Sequence, residues 1–284
     1  MRKHFENIEY LYGDANVRLP NSLFKDLSEA IKSKNNKTNV QQVAFAYTYL
    51  VTVAFLYKYT HFVDTQNETY IQNADIKELL GYSRTTKSID KIIKKNGVLD
   101  ELGLTSTTRD YPVSFETCSG EKVNGISLRE FVAISDIDNN DGNYSIIKSI
   151  VKNKNYEVKE PLFLTTGYKD REYGTIYNIE RTHRIDIREY IALVFDEGMT
   201  NIDFLMYAYF KSKCKGYKDN MRSMAVYKII MEIGVDRSTF YNHLRVLKEK
   251  KYIHVNHMEW KWRAKGGDYE DMESNQYFWR GIQM

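Results

Sequence analysis

The sequence predicts an α+β protein with two helix-turn-helix domains and a strand-rich segment between them. In each half, a densely apolar helical stretch precedes two shorter helices separated by a glycine, and strand patterns follow. The motif G-x-[SD]-R-[ST]-T occurs at that glycine in both halves, at 81–86 and 234–239. A chain of 284 residues is long enough for two ordinary domains.

In the first half, residues 39–59 lack glycine and proline and predict a buried helix. A short helix over 74–80, a turn at Gly81 and a helix over 85–96 come next. LGLTST and YPVSFE then predict two strands joined by the loop TTRD, which would form a wing.

The central segment has strand and turn composition. We place the domain boundary in the turn at Asn139–Gly142, so the predicted domains are 1–140 and 141–284. After 160, strands are expected around a turn at 169–174, and helices resume near Ile187.

The second half repeats the plan of the first. Helices are predicted over 201–214, 223–233 and 237–250, with Gly234 as the turn before the last of them. A strand over 252–262 and a return strand over 276–281 follow, joined by a loop through Lys265. This order is that of a winged helix.

The helix predicted over 237–250 has two unlike faces. Its apolar residues form one stripe at helical spacing: Phe240, Leu244 and Leu247. The other side carries hydrogen-bonding groups in place of the usual Lys and Glu, and Asp236 is the expected helix cap. Such a face suits the major groove, where Asn pairs with adenine and Arg with guanine, each with about 1 to 3 kcal/mol of discrimination. Asn242 and Arg245 are therefore the expected base readers.

The other candidate DNA-binding residues are hydroxyl-bearing, aromatic or basic. On the same helix, phosphate-binding positions are expected at Arg237, Ser238, Thr239, Tyr241 and Lys248. The second wing contributes Lys261, Arg263 and Lys265, although four acids between 268 and 273 would repel DNA at its tip. A more purely basic helix of the first half contributes Arg84, Thr85, Thr86, Lys87, Lys91 and Lys94. That helix favours backbone contacts, or else belongs to a dimerisation interface.

The charge is unevenly distributed along the chain. Residues 211–265 contain 14 Lys and Arg against 5 Asp and Glu, whereas the whole chain has a net charge of only +3. A basic segment attracts phosphate through counterion release, although a solvated Lys-rich face would have the same composition.

We expect no enzyme chemistry, no cofactor and no metal. The sequence contains no phosphate-binding GxxxxGK[ST] loop, no HExxH and no nucleophile elbow, and its wealth of tyrosine indicates packing. Cys118 and Cys214 match no metal-ligand spacing and are too few for a disulfide framework, which favours a reducing cytoplasm. No signal-peptide pattern and no run of 18 apolar residues occurs, so no membrane is expected.

The chain resembles the tandem winged-helix replication initiators of plasmids and phages in two segments. These are residues 76–105, IKELLGYSRTTKSIDKIIKKNGVLDELGLT, and residues 234–253. The likeness covers 40–115 and 200–281 in outline and leaves the middle unaccounted for. It implies binding of repeated origin DNA, dimerisation through one domain and recruitment of host replication proteins.

Two alternatives remain open from the residues alone. The same helices would serve a transcriptional regulator, or a partition protein that binds a centromere. From a different class, the chain could be a protein-interaction scaffold or an enzyme whose winged helices bind protein.

Overall fold

The computed structural model is a mixed α and β protein with small sheets, and it describes residues 1–123, 126–164, 181–258 and 274–282. The helices are α1 (Arg2–Leu11), α2 (Leu23–Asn35), α3 (Val40–Lys58), α4 (Asn73–Leu79), α5 (Asp90–Ile93), α6 (Val98–Glu101), α7 (Gly142–Ile150), α8 (Ile187–Val194), α9 (Asn201–Cys214), α10 (Val226–Ile233) and α11 (Arg237–Glu249). The strands are β1 (Asn16–Pro20), β2 (Val63–Asp64), β3 (Thr69–Tyr70), β4 (Thr105–Thr108), β5 (Pro112–Val123), β6 (Ile126–Ala133), β7 (Val158–Pro161), β8 (Thr182–Asp186), β9 (Met221–Ser223), β10 (Ile253–Asn256) and β11 (Gln276–Trp279).

The chain folds into two compact units. The first contains Met1–Asn21 and Phe45–Asp196, and the second contains Ser22–Ala44 and Glu197–Met284. The boundary predicted at 139–142 falls inside the first unit, because β7, which follows it, pairs with β4, which precedes it. The second unit also takes in residues 22–44, which supply α2 and the start of α3.

The prediction of a buried helix over 39–59 is confirmed by α3. Its apolar side chains point in all directions around the axis, and a helix of that kind is stable in water only when it is covered on every side. Among the described helices, α3 alone has the length and composition to cross a membrane, but 89% of its most apolar 18-residue stretch is buried within the protein.

The strand pairing of the first unit corrects the predicted wing. LGLTST and YPVSFE overlap β4 and β5, as expected, yet these strands do not pair with each other. Instead, β4 pairs with β7 and β5 pairs with β6, both antiparallel. Neighbouring strand patterns in a sequence do not specify which partner each strand will take.

The predicted helix over 85–96 is also wrong, because only the four residues of α5 are helical there. The buried Lys77 ammonium donates to the carbonyl oxygen of Thr86 at 2.9 Å, an oxygen that a longer helix would use internally. Asn96 adopts a left-handed backbone, with φ of 57°, and donates its N–H to the Asp100 carboxylate at 2.9 Å. Tertiary contacts therefore override the helical periodicity on both sides of α5.

The second unit follows the predicted order closely. The helices expected over 201–214, 223–233 and 237–250 are observed as α9, α10 and α11, with Gly234 in a left-handed conformation between the last two. Helix α10 begins later than expected, at Val226, since Ser223 belongs to β9. The strand expected over 252–262 is shorter: β10 ends at Asn256, and residues 259–262 lie outside the described residues. The return strand expected over 276–281 is β11, which pairs antiparallel with β10. Strand β9 adds to the other side of β11, which gives a three-stranded sheet of order β10-β11-β9.

Candidate nucleic-acid interface

Helix α11 is capped by Asp236, the residue that the sequence predicts for this role. One carboxylate oxygen accepts the backbone N–H of Thr239 at 2.9 Å and the hydroxyl of Ser238 at 2.6 Å, and the other accepts the hydroxyl of Thr239 at 2.6 Å. These bonds hold the pKa of Asp236 far below its ordinary value, and the bonds from the two hydroxyls have the largest effect. The start of the helix is thus fixed by a carboxylate that stays ionised.

One face of α11 is buried, as its periodicity predicts. Phe240 and Leu247 are fully covered and Leu244 is 3% exposed. Burying each such side chain stabilises a fold by about 1.5 to 3 kcal/mol. The opposite face must therefore point outward.

The outward face of α11 carries most of the predicted DNA-binding residues. Its exposed side chains are Arg237, Ser238, Tyr241, Asn242, Arg245 and Lys248. The Arg237 guanidinium lies over the Tyr241 ring, 5.8 Å from its centroid. Arg245 is 71% exposed, and its closest carboxylate oxygen among the described residues, on Glu249, is 3.9 Å away. Asn242 and Arg245 thus lie on one accessible surface, which we call the α11 outer face.

The hydroxyls of Ser238 and Thr239 are not free to bind a phosphate. Each hydroxyl has one hydrogen, and in both residues that hydrogen is donated to Asp236. A phosphate accepts hydrogen bonds and does not donate them, so either hydroxyl would have to leave Asp236 to bind one. The geometry supports a capping role for both side chains.

His243, which follows Asn242 in the chain, contacts α9. Its ring Nδ1 lies 2.8 Å from Oδ1 of Asp203, a carboxylate that is 2% exposed. The other oxygen of Asp203 accepts the backbone N–H and the hydroxyl of Thr200, which together form the cap of α9. The spacing of Thr200 and Asp203 marks a capping box in the sequence, but the link to His243 is not local and leaves no sequence signal.

Helix α2 is a second feature that the sequence analysis did not identify. It packs on α10 in the second unit, and Ser28 lies against Gly234 in the turn before α11. The helical spacing of its buried apolar residues is a signal that the sequence contains. These residues are Leu23, Phe24, Leu27 and Ile31.

The basic residues of the first unit do not form one helical face. Arg84 donates to Asp75 at 2.5 Å and to Glu78 at 3.1 Å, so its charge is matched locally. The other predicted contacts lie on turns around α5 or on α5 itself: Thr85, Thr86, Lys87, Lys91 and Lys94. Lys87 and Lys94 are exposed, whereas Lys91 and Thr86 are half-buried.

The predicted wing residues Lys261, Arg263 and Lys265 lie outside the described residues. They belong to the connection between β10 and β11, whose last described pair is Asn256 with Gln276. Within the described part of the chain, no group of three His, Cys, Asp or Glu side chains could hold a metal ion. Cys214 is buried, and burial raises the pKa of its thiol to about 11, which makes it unreactive.

Comparison with known proteins adds no relative: no protein family, no curated protein and no solved structure matches this chain.

Proposed function

We propose that the chain is a sequence-specific double-stranded DNA-binding protein whose second unit is a winged helix with α11 as its recognition helix. The order of elements from α9 to β11, namely helix, strand, helix, turn, helix and two paired strands, supports this assignment. In such a domain the last helix enters the major groove and the connection between the two strands reaches a neighbouring phosphate.

The observation that carries the proposal is the contrast between the two sides of α11. Its stripe of three apolar residues is buried, whereas Asn242 and Arg245 are exposed together beside Arg237, Tyr241 and Lys248. Amide and guanidinium groups are the side chains that pair with adenine and guanine edges in bidentate fashion. The net charge of +9 over 211–265 supplies the attraction to phosphate that such a complex needs.

We assign base reading to the second unit alone. The first unit offers a four-residue helix and an arginine already paired with two carboxylates, which suits backbone contacts or an interface with another protein better than base reading. This division agrees with a replication initiator in which one domain dimerises. We propose that role, with repeated origin DNA, a second copy of the chain and host replication proteins as partners, and a cytoplasmic location.

The first test replaces the two base readers. Asn242→Ala and Arg245→Ala should each lower the preference for a selected duplex over a random one by about 5- to 150-fold, since a lost bidentate pair costs about 1 to 3 kcal/mol. The duplex is the one that the wild-type protein enriches from a randomised pool. Fluorescence anisotropy at several salt concentrations gives affinity for both duplexes and the number of phosphates neutralised.

Lys32→Ala is the matched control, because Lys32 is an exposed cation of the same unit that belongs to α2 and not to α11. It should leave the preference unchanged. If both α11 variants keep the wild-type preference, or if wild-type affinity hardly changes with salt, α11 is not a DNA-reading helix. The enriched sequence also separates the roles: tandem repeats support the initiator, and a single palindrome supports a regulator.

A further inference from the structure

We infer that His243 is a positioning residue for DNA recognition: by bonding to Asp203, it fixes the rotation of α11 about its own axis and so sets where the base-reading side chains point. This inference rests on the proposed function and adds to it a determinant that lies on the inner side of the helix.

The bond joins α11 to α9, on which α11 packs. The carboxylate of Asp203 can only accept, so Nδ1 of His243 must carry the hydrogen of the 2.8 Å bond. Asp203 is itself immobile, since its second oxygen is held by two donors on Thr200 at 2.8 and 2.7 Å. His243 therefore has a rigid and buried partner at the beginning of α9.

Apolar contacts alone would leave the rotation of α11 poorly defined. The attraction that buries Phe240, Leu244 and Leu247 is not directional, whereas a hydrogen bond tolerates only a narrow range of distance and angle. His243 lies at one edge of the buried stripe, about 60° from Phe240 around the helix, where a bond resists rotation most effectively.

A small rotation is enough to change base reading. Side chains of an α-helix reach about 5 to 6 Å from its axis, so a turn of about 20° moves their ends by roughly 2 Å. Base-edge hydrogen bonds require donor–acceptor distances of about 2.7 to 3.2 Å, so a shift of that size breaks a bidentate pair. Long basic side chains can follow a phosphate over the same distance. Loss of the His243 bond should therefore reduce specificity more than affinity.

The experiment compares His243→Leu with His243→Asn. Leucine fills a similar space without a donor, whereas the asparagine amide can donate to Asp203 from nearly the position of Nδ1. We expect His243→Leu to lower the preference for the enriched duplex over a random duplex about tenfold or more. Affinity for the random duplex and its salt dependence should stay within about threefold of wild type. His243→Asn should restore most of the preference. Thermal unfolding of each variant sets an assay temperature at which all are folded.

The outcomes separate the inference from the function on which it rests. A folded His243→Leu with wild-type preference, or a His243→Asn as impaired as His243→Leu, would overturn the positioning role while leaving DNA binding intact. A wild-type protein that enriches no duplex would overturn both. His254→Leu is the control and should behave as wild type, since His254 is exposed on β10 and its described partners, Asn256 and Phe278, both lie in the small sheet and not on α9 or α11.

Discussion

At the scale of single residues, Gly234 meets two separate constraints. Its φ of 68° lies in the left-handed region, and a Cβ atom added there would overlap the buried Ser28 hydroxyl of α2. Gly81, at the same place in the repeated motif, has φ of 81° but open space around it. Both glycines need a left-handed backbone, and the shared motif reflects that need. Only at Gly234 does Ser28 also occupy the space that a side chain would need, and the motif carries no sign of it.

Replacing each glycine by alanine separates these two requirements. We expect Gly81→Ala to cost about 1 to 2 kcal/mol of unfolding free energy, from backbone strain alone. Gly234→Ala should cost about 2 to 4 kcal/mol, because Ser28 must also move. Denaturant unfolding of the two variants measures the difference, and Ser28→Ala should recover part of the loss in Gly234→Ala only. Equal costs at the two positions would show that Ser28 imposes no constraint.

At the scale of elements, the sequence was sufficient where local signals and packing agree. The existence and order of α9, α10 and α11 were predicted, and only the start of α10 was placed too early, because their periodic apolar residues and the glycine between the last two favour the same arrangement. The α11 outer face could be predicted for the same reason, since it lies opposite the buried stripe of that helix. The orientation of His243 depends on a residue 40 positions away, and no local pattern carries that information.

Prediction failed around α5, where a single buried ammonium decides the structure. Lys77 Nζ bonds to the Thr86 carbonyl and pairs with Asp90. The residues just before α5 are therefore held in a conformation that is not helical. The sequence shows Lys77 as one more polar residue of a short helix. Its burial, at 7% exposure, follows only from the tertiary fold.

Lys77→Met tests this explanation. The substitution keeps the length of the side chain but leaves the Thr86 carbonyl without its donor and Asp90 without its partner. We expect a loss of about 1 to 3 kcal/mol in unfolding stability and faster amide exchange over residues 84–96. Lys95→Met, at an exposed position, is the matched control and should change neither. Unchanged exchange in Lys77→Met would mean that Lys77 does not hold this segment.

At the scale of the whole molecule, stability should depend on pH through two histidines of the first unit. His4 and His61 lie with ring centroids 6.4 Å apart, and Nδ1 of each is buried without a hydrogen-bond partner. Burial is the main cause that lowers the pKa of both, to about 4 for His61, and it outweighs Asp64, whose carboxylate lies 3.8 Å from His4. Both rings are therefore neutral in the folded protein at pH 7.

Because the unfolded chain binds these protons more readily, stability is fully present above about pH 6.5 and falls as pH decreases toward 4. We expect a loss of about 2 kcal/mol between pH 7 and pH 5, before most carboxylates titrate. Thermal unfolding across this range measures it. His61→Gln should flatten the dependence, since glutamine binds no proton, whereas His254→Gln, on the exposed face of β10, should retain it. A wild-type protein equally stable at pH 7 and pH 5 would show that the buried rings do not control its response to acid.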